Sequence, residues 1–206
     1  MKNALKISFI LIMLLITSCS SDKDTIRIST LEGLQAAKQL AITNFGADFE
    51  VYDFELYSKG DLDSDLGRIT IKYLKDGKLY QRVYNTTTTN NKASLDDEKL
   101  LSDAFQKSFF VKNSQGKIKI SDIDIDTMFA NINKGVVIIK KEMEIDNYQV
   151  RKYKIKADTK TNKISSDFEI HFTEPNNETI EGRNIVTNFY ELEFKGDENN
   201  NITVDN

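Results

Sequence analysis

Two periods of hydrophobic recurrence divide this chain. Leu34, Ala37, Ala41 and Phe45 recur three or four residues apart, one face of an α-helix, so a helix is predicted from about Thr30 to Phe45. Ser29 and Glu32 have capping-box spacing at its start, and Gly46 supplies the stop. Gly33 lowers the helix propensity inside it by up to about 1 kcal/mol. A second helical face runs from Ile125 through Phe129, Ile132, Val136 and Ile139 to Met143. Asp122, Asp124 and Asp126 suit its positive N-terminal end. Its β-branched stretch Val136 to Ile139 also fits a strand. A further helix is predicted after Ser94 as cap, with Asp96, Asp97 and Glu98 in its first turn and Leu101, Ala104 and Phe105 as its stripe.

The rest alternates with the period of strands. Phe49 to Tyr57 is β-rich and changes phase at Val51 and Tyr52, which predicts a bulge. Asp61 to Gly67 reads as a loop. Ile69, Ile71 and Tyr73 alternate with Arg68, Thr70 and Lys72 in a half-buried strand. Asp76-Gly77 is a hairpin signal, with Leu79 to Asn85 returning as partner. Thr86 to Asn91 is a polar break and the best internal boundary. Later strands are predicted at Val150 to Lys156, Lys163 to Thr173 and Asn184 to Phe194, with a short last one at Ile202 to Val204. Leu34, Ala41, Phe45, Ile69, Ile71, Phe129, Ile132, Val136, Phe168 and Ile170 are expected in the core.

Each half thus reads as a helix followed by three antiparallel strands. The expected class is α+β, with antiparallel sheets each packed by a helix. Residues 29–92 would form a first unit and 93–206 a second with an extra helix. This element order is similar to tandem PepSY-like or BLIP-like modules over nearly the whole chain after the leader. The resemblance rests on element order alone and implies proteins that bind or inhibit partners, many without catalytic residues.

The leader adds an address. Lys2 and Lys6 flank the start of an apolar run, Ile7 to Ile16, broken only by Ser8. Ten residues rise only about 15 Å as a helix. A bilayer core is about 30 Å thick, so the run matches a secretory signal rather than a span. Its exit, Ile16-Thr17-Ser18-Cys19, resembles the lipobox of bacterial lipoproteins. That resemblance implies removal of residues 1–18 and lipidation of Cys19 on its sulfur and new amino group. One acyl chain holds a protein only marginally. The two or three of bacterial lipoproteins imply a lasting anchor. Residues 19–28 read as the lipidated tether. Ser20 after the cysteine resembles lipoproteins sent to the outer membrane. The acidic cluster at Asp22 and Asp24 is interrupted by Lys23, which leaves the periplasmic and surface-exposed faces both open.

Charge narrows the partners. Loss of Lys2 and Lys6 takes the basic count from 28 to 26 against 32 acids, a formal balance of −6. This disfavours nucleic acid and electrostatic adhesion to anionic lipid. Membrane contact is expected through the lipid on Cys19. Cys19 is the sole cysteine, so the body holds no disulfide, thiolate metal site or cysteine nucleophile. No P-loop, dinucleotide fingerprint or zinc-protease motif occurs.

His171, the sole histidine, shares the polar side of its strand with Glu169 and Thr173, opposite Phe168, Ile170 and Phe172. It reads as a solvated strand histidine. Asp61, Asp63 and Asp65 resemble part of a calcium loop, but Gly67 falls one place late and Lys72 stands where the last acid belongs. An acidic loop is expected there, and no metal. Asp24-Thr25-Ile26 and Asp126-Thr127-Met128 resemble acceptor sites of a bacterial O-glycosylation system, with Thr25 the accessible candidate. Tyr52, Tyr57, Tyr73, Tyr80 and Tyr84 suit either a binding face or ordinary sheet packing.

The expectation is a lipid-anchored envelope binding or structural protein, not an enzyme, with no catalytic residue and no cofactor. A protein or envelope polymer would be its partner. The alternatives are an immunity or inhibitor lipoprotein that blocks a toxin or protease, and a hydrolase using surface carboxylates.

Overall fold

Thr30, one residue later than the expected Ser29, caps the first helix, α1 (Leu31–Phe45), accepting the Gly33 N–H at 3.1 Å. Gly33 is required by a close approach: a Cβ there would lie 1.8 Å from the Arg27 carbonyl oxygen. Gly46 ends the helix at φ 107°, donating its N–H to Ile42. The computed structural model describes residues 25–87, 92–112, 117–157, 163–175, 178–181 and 184–205.

Strands β1 (Glu50–Val51) and β2 (Asp53–Ser58) are parted at Tyr52, where the phase of alternation changes. β3 (Leu66–Lys75) and β4 (Lys78–Asn85) meet in a two-residue turn with Asp76 at φ 52° and Gly77 at φ 71°. The helix expected after Ser94 is instead two edge strands, β5 (Ser94–Leu95) and β6 (Lys99–Leu100), both paired with β4. The acids meant for its first turn have other partners. Asp96 accepts from Asn85, and Glu98 takes the Tyr73 hydroxyl and Lys75. The helix α2 (Asp103–Lys112) begins later, where Ser102 accepts the Phe105 N–H.

β7 (Ile118–Lys119) pairs with β1, and a 3-10 turn at Ile120–Asp122 leads into α3 (Ile125–Glu142). Asp124 caps α3 by accepting the Thr127 N–H. β8 (Asn147–Ala157) and β9 (Ile164–Thr173) form a long hairpin. The single strand expected at 184–194 is divided. β10 (Glu178–Glu181) and β11 (Asn184–Thr187) pair with each other, and β12 (Tyr190–Gly196) then joins β9, followed by β13 (Ile202–Val204).

The class is α+β. Among the described residues one nine-stranded antiparallel sheet has the order β13-β12-β9-β8-β2-β3-β4-β5, with β6 also on β4. The halves therefore share a sheet rather than each carrying its own. β2 and β8 join them, pairing Phe54 with Ile155 and Leu56 with Tyr153. The helices α1 and α3 touch each other and lie over one side, against β3 and β9. A Cβ on Gly135 would sit 2.9 Å from Phe168, so the backbone of α3 rests nearly on the sheet. Beneath it Tyr153, Phe168 and Phe194 stack in series at 5.3 and 5.1 Å.

Nine of the ten expected core residues are buried. Phe129 is half-buried, because α3 turns Met128, Asn131, Ile132 and Gly135 inward instead. Ile28 is fully buried and Ile26 packs on the core, although both fall in the stretch 19–28 expected as tether. No helix among the described residues is long and apolar enough to cross a membrane.

Candidate functional site

Strand alternation that sends Phe54 and Leu56 toward the helices sends Asp53, Glu55 and Tyr57 to the other side. Register places Lys72 beside Asp53, Lys154 beside Glu55 and Lys152 beside Tyr57 on that side. The open side of the sheet is therefore a lattice of charges in its central strands. Asp53 is 2% exposed and Glu55 4% exposed, covered by two lysines. Lys72 Nζ lies 3.2 Å from Asp53 and 2.8 Å from Glu55, and Lys154 Nζ lies 2.7 and 2.6 Å from the same two groups.

The two carboxylates respond differently. Burial, then the charge of Glu55, pushes Asp53 from its ordinary 3.8 up to about 6. Burial also pushes Glu55 up, but Lys72 and Lys154 together outweigh it and hold that carboxyl well below its usual range. Burial lowers Lys154, yet Asp53 and Glu55 raise it above an ordinary lysine. Tyr57 donates to Glu55 at 2.8 Å, and burial with that negative neighbour lifts its hydroxyl to about 12. Arg68 lies 4.1 Å over the Tyr57 ring.

At the β9–β12 end this side holds a cleft of about 370 Å³, lined by Tyr57, Arg68, Arg151, Lys152, Glu169 and His171 among others. His171 is 2% exposed, so it is not the solvated histidine expected. Phe189 stacks on its ring at 4.9 Å, and the loop after β2 reaches over it, so that His171 Nδ1 lies 2.7 Å from the Asp61 carbonyl oxygen. Nε2 lies 2.5 Å from Glu169 Oε1 and 3.7 Å from Glu191 Oε2. Arg151 holds that loop down, donating to the Ser58 carbonyl at 2.8 Å and pairing with Asp61 at 3.0 Å. Among the described residues, the group whose metal-binding atoms lie within 4.8 Å of one another is Glu169, His171 and Glu191.

A second cavity, about 340 Å³, opens between α3 and the β8–β9 hairpin, with Met128, Ile155 and Ile164 among its walls. Asn131 lies buried at its floor, donating to Tyr153 at 3.2 Å and Ser166 at 3.4 Å. Burial raises the Tyr153 hydroxyl above its ordinary value. Asn131 sits among the inward residues of α3, and its polar character hid it from a reading of apolar spacing.

The candidates from sequence fall as follows. Cys19 lies outside the described residues. Thr25 is exposed, next to Ile26 whose carbonyl accepts the Leu66 N–H. Thr127 donates its hydroxyl to Asp124 within the helix cap. Asp61, Asp63 and Asp65 do not converge: Asp61 pairs with Arg151, Asp63 accepts the Asp65 N–H, and Asp65 pairs with Lys59. The tyrosines divide, with Tyr57 on the open side and Tyr73 buried against Phe49 and Tyr80. Glu191, absent from the candidates, is brought to His171 by the β9–β12 register. Comparison with family models, curated proteins and solved structures returns no match to this chain.

Proposed function

We propose that this chain is a lipid-anchored binding module of the bacterial envelope, held at the outer membrane through Cys19, with the open side of its sheet receiving a protein or an envelope polymer. The carrying observation is the lattice on that side, where Asp53 and Glu55 lie fixed beneath Lys72 and Lys154. Charges held in place before contact lose little freedom on binding and select partners by complementarity. The two halves are read as tandem helix-plus-three-strand units. In support, β2 and β8 lie side by side at the middle of the sheet, and β3 and β4 follow outward on one side as β9 and β12 do on the other. An inhibitor or immunity lipoprotein is the special case in which the partner is a toxin or protease. Thr25, exposed beside the tether, is the proposed glycan acceptor.

The test is recovery of a partner by cross-linking from cells carrying the native protein, repeated with Arg68→Glu and Lys152→Glu. The same partner lost from both variants supports the reading. No partner from the native protein, or equal recovery from all three, removes it.

A carboxylate hydrolase is the second reading, because Asp53 is raised while Glu55 is lowered, the divergence that acid–base pairs need. Its test is direct: any hydrolytic activity of the protein would have to vanish in Asp53→Asn.

A further inference from the structure

We propose that Glu169, His171 and Glu191 bind a zinc ion on the open side of the sheet. Glu169 and His171 are two apart on β9 and share a face, and Glu191 stands directly opposite His171 on β12. Side chains so placed converge without backbone distortion.

The imidazole itself supplies the main argument. The Asp61 carbonyl oxygen, 2.7 Å from Nδ1, can only accept, so Nδ1 carries a proton. The remaining nitrogen, Nε2, faces one carboxylate oxygen at 2.5 Å and another at 3.7 Å. A nitrogen lone pair turned toward two carboxylates is repulsive unless a cation stands between them. That cation is either a proton or a metal ion. At 2.5 Å a proton fits between Nε2 and Glu169 Oε1, and a zinc ion with bonds of about 2.0–2.2 Å would take its place by drawing the two atoms apart to about 3.4 Å. The surroundings suit that exchange. A histidine that gives one N–H to a backbone carbonyl and turns its other nitrogen to carboxylates has the tautomer and orientation of a zinc ligand. Phe189 on the ring, and Arg151 on Asp61, fix that orientation.

Two carboxylates and a neutral imidazole balance a divalent charge. One nitrogen with two oxygens suits zinc better than calcium or magnesium, which take oxygen alone. Lys152 is the competing cation, 3.7 Å from Glu169 and 3.9 Å from Glu193. It holds Glu169 by Oε2, and leaves Oε1 to the site. The site stands on these side chains alone, whether or not the chain is anchored or meets a partner.

His171 is the sole histidine, so the two carbon-bound protons of its ring give the chain's only histidine NMR signals when no tag is present. The chain carrying Cys19→Ser, which removes thiol binding, is freed of metal by chelation and titrated with zinc chloride by calorimetry and NMR. One equivalent should bind and shift the His171 signal. Glu191→Gln, at an exposed position that does not endanger the fold, should weaken binding at least about tenfold. A His171 signal unmoved by several equivalents of zinc would overturn the proposal and leave the proton as the bridging cation. Equal zinc affinity in Glu191→Gln would overturn it too.

Discussion

Glu55→Gln should cost far more stability than Asp53→Asn, although the two carboxylates share both lysines. Glu55 is the strongly ionised member, and its Oε1 lies 2.8 Å from Lys72 and 2.6 Å from Lys154. Removing one partner of a buried ion pair costs about 3–5 kcal/mol. The lysine side chains are 12% and 18% exposed and can relax toward water, which brings the expected loss to about 2–4 kcal/mol. Asp53 differs. Its rise from 3.8 to about 6 means that folding disfavours its charge. Its Oδ1 is buried with no hydrogen-bond partner. Asparagine removes a charge that folding already penalises, so its net cost should stay within about 1 kcal/mol. For a domain of this size 1 kcal/mol moves Tm by about 2–4 °C. The assay is urea unfolding at pH 7 followed by circular dichroism, urea being uncharged and leaving the ion pairs unscreened. Equal losses in the two variants, or a loss under about 1 kcal/mol in Glu55→Gln, would refute the division of roles.

The same pair sets a pH dependence. Asp53, raised in the folded state, adds stability that is complete below its ordinary 3.8 and is lost as pH rises through about 6. Glu55, lowered, adds stability present above its ordinary 4.5 and lost as pH falls below it. Stability should therefore rise as pH drops from about 7 to 5, and Asp53→Asn should flatten that rise, as urea midpoints across the range will tell. Gly135→Leu should destabilise by about 1–3 kcal/mol through overpacking against Phe168 and Ile170, read as a lower thermal midpoint. Cys19→Ser should leave an unprocessed or aqueous-phase protein with the body folded, while native protein labels with fatty acid and enters detergent. A native protein found in the aqueous phase with a non-cysteine N-terminus would remove the anchor.

Most elements of the fold were legible because local chemistry decides them. The face from Ile125 to Ile139 and the Asp76-Gly77 turn answer to periodicity and to left-handed backbone. Ser94 shows where local chemistry yields. Its acids suit a helix start, but β4 offers an unpaired edge, and edge hydrogen bonds with Asn85, Tyr73 and Lys75 outcompete a first turn. The junction of β2 with β8 was not legible, since nothing in an alternating strand says which neighbour it will take. His171 was misjudged for the same reason. Its polar side is correct, but burial there comes from Asp61 and Phe189, which are distant in sequence or beyond a turn.

One trace of the site was nevertheless present in the spacing. In β8 the helix-facing residues are Val150, then Tyr153, Ile155 and Ala157, so the first interval is three rather than two. An interval of three in an alternating strand marks an inserted residue, and the register indeed shifts between Val150 and Lys152. Arg151 is the residue freed by that shift. It can therefore reach sideways to Ser58 and Asp61 instead of standing in line with its neighbours. Through Asp61 it governs the hydrogen bond that fixes His171 Nδ1 and turns Nε2 toward Glu169 and Glu191. A one-residue irregularity in a strand on the far side of β9 thus orients the imidazole. Periodicity read for its lapses, as well as its regularities, would have pointed to β8 before any contact was known.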